Sequence, residues 1–222
     1  MILDPYNAKL EKIVKSAQKN IRSQNSDLDI PPDFAKFNDL IGLPKHPVTF
    51  QPTPLMPYQQ EFAKLIPQGR NVLFHINKSR QIGVTELISR VLAYHSFFKY
   101  KGGIIIIIAG TRVDTATEIM RRFKELFKNI SGTVLDYKNS LKLSLRNGTE
   151  IEALPSNSDA IRGLTKVKAI FVDEAAHFNL IDDSIVLDAI LPLVDTNQAD
   201  LFLVSTPNGR RGFFYDISIN KN

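Results

Sequence analysis

The spacing of apolar positions changes several times along the chain, and each change marks an element. Residues 1–24 are dominated by polar side chains and read as a polar helix. Residues 25–57 are punctuated by Pro31, Pro32, Pro44, Pro47, Pro52, Pro54 and Pro57. Proline fixes its own φ and donates no amide hydrogen, so this segment is expected to be extended and to supply no core element. Regular patterning begins at Tyr58. Residues 58–66 read as a short helix closed by Pro67 and Gly69, and residues 72–76 as a short apolar strand. Val84, Leu87, Ile88, Val91, Leu92 and Phe98 then recur at helical spacing. Residues 104–109 are an almost unbroken isoleucine run, the pattern of a strand buried on both faces. Thr111 is placed to cap a second amphipathic helix carrying Val113, Ala116, Met120, Phe123 and Phe127.

Residues 141–145 and 149–154 flank Asn147-Gly148, a strong hairpin signal, and residues 169–172 and 201–204 are two more short buried strands. Strands alternating with helices predict an α/β fold: a mostly parallel sheet flanked by helices, with an inserted β-hairpin. Residues 1–50 are expected to form an N-terminal arm or lid, and residues 51–222 a single domain.

Composition narrows the picture modestly. The chain of 222 residues is 43% hydrophobic and 23% charged, ordinary for a soluble globular protein. The absence of cysteine excludes a disulfide scaffold and thiol-ligated zinc. His46, His75, His95 and His177 show no metal-ligand spacing. The longest apolar run is far short of a membrane span and the N-terminus lacks a signal-peptide core, so an intracellular protein with no membrane partner is expected. A net charge of +5 and a pI near 9.3 attract polyanions mildly without naming one.

The candidate chemistry starts with NKSRQIGVTE, residues 77–86, where a strand gives way to a helix. A phosphate-binding loop usually reads G-x-x-x-x-G-K-[ST]. Gly83 and Thr85 keep their places here, Val84 stands where the lysine belongs, and Lys78 stands where the first glycine belongs. Backbone amides across Ser79, Arg80, Gln81, Ile82, Gly83 and Val84 would meet phosphate at a helix N-terminus, where the dipole favours an anion. The loop wraps the β-phosphate, so a lysine at position 78 reaches the β/γ oxygens. Arg80 adds a fork-shaped cation suited to a γ-phosphate, and Thr85 can place its hydroxyl on Mg²⁺. The plain alternative is a strand–turn–helix with ordinary surface cations.

Two later stretches bear on that choice. Residues 167–174 form an apolar strand ending in Asp173 and Glu174. At the C-terminal end of a parallel strand, Asp173 can hold Mg²⁺ through water and Glu174 can act as general base on an attacking water. Another buried strand closes with Ser205, Thr206, Pro207 and Asn208, whose polar groups can bond a γ-phosphate or its water; a simple turn is the alternative.

KSRQIGVT, SDAIRG, AIFVDEAAHF and STPNG followed by GFFYDI, in this order over about residues 50–220, resemble the ATPase domain of viral terminase large subunits. The resemblance implies a P-loop NTPase of the RecA/ASCE-like type that uses ATP and Mg²⁺ to drive double-stranded DNA into a capsid. Lys78, Arg80, Gly83 and Thr85 match a variant Walker A loop with a displaced lysine. Asp173 and Glu174 match the Walker B pair. Ser205, Thr206 and Pro207 match the coupling motif. Tyr58 and Gln59 match the upstream adenine-recognition element. Arg162 matches an arginine proposed to reach the neighbouring subunit's nucleotide, or it anchors the turn before the strand.

By the same resemblance the expected partners are DNA, a portal protein and a small terminase subunit, and the active form is a homo-oligomeric ring in the cytoplasm of an infected host cell. The nuclease domain that follows in the family is expected to be absent. DNA phosphates could be met by Arg112, Arg121, Arg122, Lys124, Lys128, Lys138, Lys142 and Arg146, or these could line a solvated face. Two rival readings stand beside this one: a superfamily 2-like helicase or translocase fragment, and a non-hydrolysing nucleotide-binding scaffold module.

Overall fold

The isoleucine run becomes the middle strand of a seven-stranded sheet. The computed structural model describes residues 29–46, 48–65, 71–109, 113–136, 139–154, 161, 163–178 and 180–219. Its strands are β1 (Leu73–Asn77), β2 (Ile104–Ala109), β3 (Val134–Asp136), β4 (Lys142–Leu145), β5 (Glu150–Leu154), β6 (Val167–Asp173) and β7 (Asp200–Ser205), in the order β1-β7-β6-β2-β5-β4-β3. The first five strands of that order run parallel to their neighbours, and β4 and β3 close the far edge antiparallel. The helices are α1 (Phe34–Leu40), α2 (Pro57–Lys64), α3 (Val84–His95), α4 (Val113–Lys128), α5 (Leu180–Asn197) and α6 (Gly212–Ile219). Among the described residues no helix is long and apolar enough to cross a membrane.

Ile105 to Ile108 are fully buried, as a strand covered on both faces requires. Ile106, Ile108, Ile170, Val172, Leu201 and Leu203 face Val186, Ala189 and Ile190 of α5 and Phe213 and Phe214 of α6. Alternation along the strands turns Ile105 and Ile107 to the opposite face, where α4 packs on β2 and β5 and on α3. The hairpin at Asn147-Gly148 forms as expected, with Gly148 at φ +85°. Its second strand also pairs parallel with β2, so the hairpin is a continuation of the main sheet. The edge strand β3 and the helix α5, which carries Pro192 in its interior, are elements that the sequence periodicity does not mark.

The proline-rich segment corrects one expectation. Pro31 and Pro32 precede α1 and Pro44 follows it, so the prolines frame a helix without entering it. Asp33 caps its start by accepting from the Lys36 amide at 2.9 Å. Phe37 is fully buried and meets Tyr94 and Phe97 at centroid distances of 5.4 and 5.9 Å. Buried Arg90 of α3 donates from Nη1 to Asn38 Oδ1 and to the Gly42 carbonyl, both at 2.7 Å. The compact unit therefore begins at Pro31, and its first helix is riveted to α3. Residues 1–28, the bulk of the expected arm, lie outside the described residues, as does Thr111.

At the end of α3 away from the loop, α3 and β7 share a buried polar knot. Asp200 Oδ2 accepts from the Tyr100 hydroxyl at 2.6 Å and pairs with Lys99, while Oδ1 accepts from the Val72 amide at 3.1 Å. Burial first, then the Asp200 charge, pushes the Tyr100 hydroxyl well above its ordinary range. His95 packs tilted on Tyr100 with its Nδ1 buried and unpartnered. Burial, and secondarily the Lys99 charge, lowers His95 from 6.5 to about 4 against the opposing pull of Asp200. Well above pH 6.5 the ring is neutral in both states and contributes nothing to pH dependence. As pH falls below that, the unfolded chain takes up a proton that the folded chain refuses, and stability drains away until about pH 4. The wild type should therefore lose about 2 kcal/mol more than His95→Gln between pH 7 and pH 5 in urea unfolding. Parallel pH profiles for the two proteins would show that His95 is not the group responsible.

Candidate active site

Three segments meet at the C-terminal edge of the sheet. β1 runs into the loop 78–83 and α3, β6 ends at Asp173, and β7 ends at Ser205 between them. Asn77 stands opposite Ser205 and Asp173 opposite Val204, so the three chain ends are level. The Lys78 amide donates to the Ser205 carbonyl at 2.9 Å, tying the loop to β7. The loop then turns through Gln81 and Gly83, both left-handed at φ +61° and +76°. Gly83 is the residue that tolerates this at little cost, and a Cβ on it would also press on Gln59 Nε2 at 3.0 Å. Asn77, Lys78, Ser79, Arg80, Thr206 and Pro207 line an open cleft of ≈ 600 Å³.

Thr85, in the first turn of α3, donates its hydroxyl to the Asp173 carboxylate at 3.0 and 3.3 Å. Asp173 is buried, and burial raises its pKa despite the opposing charge of Lys78. A buried carboxylate beside one hydroxyl is a setting in which a divalent cation is welcome, so Thr85 and Asp173 fit the expected Mg²⁺ pair. Among the described residues no three His, Asp or Glu side chains converge, and a Mg²⁺ that keeps waters and substrate phosphates needs no such cluster.

Glu174 is left-handed at φ 54°, ψ 41°, a strained geometry for a residue with a Cβ. That turn carries the chain from β6 into a 3-10 turn, Ala175–His177, and leaves the carboxylate beside Lys78 and Thr206, which line the cleft. Its Oε1 accepts from Lys78 Nζ at 2.8 Å. Its Oε2 lies 3.4 to 3.5 Å from Thr206 Oγ1, Thr206 N and Ser205 Oγ, and 3.6 Å from His177 Nε2. Burial favours the neutral acid, but the Lys78 hydrogen bond and charge, the Thr206 amide and the His177 ring outweigh it and lower the pKa. Glu174 is thus ionised at neutral pH, the state a general base requires.

Lys78, Thr85, Asp173, Glu174, Ser205 and Thr206 are therefore brought together, and Arg80 lines the same cleft. Val84 is buried under the loop, so the lysine at the cleft comes from position 78. Of the upstream pair, Tyr58 braces the loop by donating its hydroxyl to the Ile82 carbonyl, whereas Gln59 Oε1 accepts from the Met56 amide at 2.9 Å at the start of its own helix. Asn208 Nδ2 donates to the Ala176 carbonyl at 2.9 Å. Arg162, Arg112 and Lys138 lie outside the described residues. Arg121 and Arg122 both pair with Glu118, Lys128 with Glu125, and Lys142 with Glu150, so much of the basic charge expected to face DNA is locally neutralised. Sequence reasoning missed His177, whose signal was its position three residues after Glu174.

A family model described as terminase large subunit, T4likevirus-type, N-terminal, matches residues 75–222. The chain belongs to the terminase large-subunit family. Among solved terminases with the same fold, the large terminase ATPase domain of Thermus phage P74-26 is 23% identical, with a TM-score of 0.59 over 82% of this chain and 72% of that one. The large terminase of bacteriophage HK97 is 20% identical, with a TM-score of 0.64 over 84% of this chain and 40% of that one. This terminase chain thus spans about two-fifths of the HK97 protein's length.

The Thr85–Asp173 contact has a measurable consequence. Thr85→Val keeps the shape but leaves a buried carboxylate without its hydroxyl donor, which should cost about 1–3 kcal/mol in urea unfolding at neutral pH. A loss of only a few tenths would mean that Asp173 is satisfied by other groups.

Proposed function

We propose that this chain is the ATP-hydrolysing motor domain of a terminase large subunit, acting on double-stranded viral DNA. The observation that carries the reading is the Glu174 carboxylate, held between Lys78 and Thr206 next to the Thr85–Asp173 pair. Binding alone has no use for a carboxylate kept charged at the mouth of a phosphate loop, whereas hydrolysis does. Lys78 and Arg80 hold the β/γ-phosphates from the loop side, and Thr206 faces them from the end of β7. Mg²⁺, bound by Thr85 and through water by Asp173, would neutralise charge building on the phosphate oxygens. A γ-phosphate competes with Glu174 for Lys78, which frees Oε1 to take a proton from the attacking water. Ser205 and Thr206 bond both Glu174 and, through the β7 backbone, the loop, so a change at the phosphate is felt where the chain leaves for α6.

The motor is read as working in a homo-oligomeric ring in the cytoplasm of the infected host cell, with a portal protein and a small terminase subunit as partners. Arg162 is the residue proposed to reach a neighbouring subunit's nucleotide.

The test is Mg²⁺-dependent ATP hydrolysis with and without double-stranded DNA, with nucleotide binding measured in the same samples. Glu174→Ala should lower kcat by about 10²–10⁴-fold while still binding ATP. Lys78→Ala should lose binding and turnover together. Unchanged turnover in Glu174→Ala would refute the mechanism, and binding without hydrolysis by the wild type would favour a scaffold module.

A further inference from the structure

We propose that His177 is a positioning residue that fixes the rotation of the Glu174 carboxylate through the Thr206 hydroxyl; this rests on the ATPase reading above. The 3-10 turn puts residue i+3 almost directly over residue i, so His177 lies over Glu174 and on the same side. His177 Nε2 is 2.8 Å from Thr206 Oγ1, and Thr206 Oγ1 is 3.4 Å from Glu174 Oε2.

A threonine hydroxyl has a single proton to give, and that settles the direction of the chain. If Thr206 donated to His177, its lone pairs would face the ionised carboxylate. With the proton on His177 Nε2, the ring donates to Thr206 and Thr206 donates to Glu174 Oε2, so every contact is attractive. Thr206 is buried while the ring is in place. The turn itself is fastened to the same strand end: the Ala176 amide donates to Ser205 Oγ at 3.1 Å, and Asn208 Nδ2 donates to the Ala176 carbonyl at 2.9 Å. Oε2 is thereby held on the β7 side, and Oε1 is the atom presented to Lys78 and the cleft. A general base works only from one orientation of its lone pair, so a carboxylate free to rotate loses turnover before it loses affinity.

The whole chain carrying His177→Ala, His177→Gln, Thr206→Val or the double change His177→Ala/Thr206→Val should be compared for steady-state ATP hydrolysis and ATP binding. His177→Ala should lower kcat roughly ten- to a hundredfold with ATP affinity held within about twofold. His177→Gln, which can still donate from Nε2, should recover most of the loss, and the double variant should be no slower than the worse single one. Equal losses in the Ala and Gln variants, additive losses in the double variant, or a raised KM at unchanged kcat would each overturn the proposal. Ring ¹⁵N NMR of the wild type tests the hydrogen-bond direction without turnover: the neutral ring should carry its proton on Nε2, and a proton on Nδ1 would overturn it. A wild type that binds ATP and never hydrolyses it would instead defeat the ATPase reading, while the ring tautomer would still decide whether His177 holds Thr206.

Discussion

The site depends on one register. β7 lies between β1 and β6, with Asn77 opposite Ser205 and Asp173 opposite Val204. Parallel strands end their chains on a common edge, and equal lengths beyond the last pair put the phosphate loop, the two carboxylates and the hydroxyl pair within one side chain of each other. A shift of one residue in β7 would turn Ser205 to the opposite face and remove both the loop tie to Lys78 and the contact with Glu174. The buried knot around Asp200 at the start of β7 resists such a slip from the other end.

Within that frame, neighbouring carboxylates are driven in opposite directions. Asp173 is enclosed by the sheet, so burial dominates and its pKa rises. Glu174 is only one residue further on, but its left-handed backbone carries it out to Lys78 and Thr206, and those donors outweigh burial. One backbone turn thus gives neighbouring carboxylates opposite environments: Asp173 enclosed by the sheet, Glu174 held beside Lys78 and Thr206. The strain at Glu174, of order 1 kcal/mol, is held by the turn's ties to Ser205 and Asn208.

The loop is braced from behind as well. α3 begins at the phosphate loop and ends at the knot around Asp200, and along its length Arg90, Phe37 and Tyr94 bind it to α1. The Tyr58 side chain holds the loop from α2 at the Ile82 carbonyl. A phosphate loop anchored at both ends and on its outer side keeps its amides preorganised, which is what electrostatic stabilisation of phosphate requires.

Local signals carried a large part of this. Near-continuous apolar runs at 104–109, 169–172 and 201–204 can be satisfied only by strands covered on both faces, and the loop's Gly83 and Thr85 and the Asp173-Glu174 pair announce themselves because their chemistry is set by residue type and spacing. The placement of α1 was not legible, because prolines weigh heavily in a local reading and the burial of Phe37 depends on Tyr94 and Phe97, more than fifty residues away. Nor was α5, whose apolar residues are interrupted by Pro192 and lie across more than one face. What the sequence determined by itself was the set of groups at the site. Which strand lies between which, and so the pairing of Lys78 with Glu174 and of His177 with Thr206, was decided only by the tertiary structure, because strand order and register are set by long-range packing that no local pattern encodes.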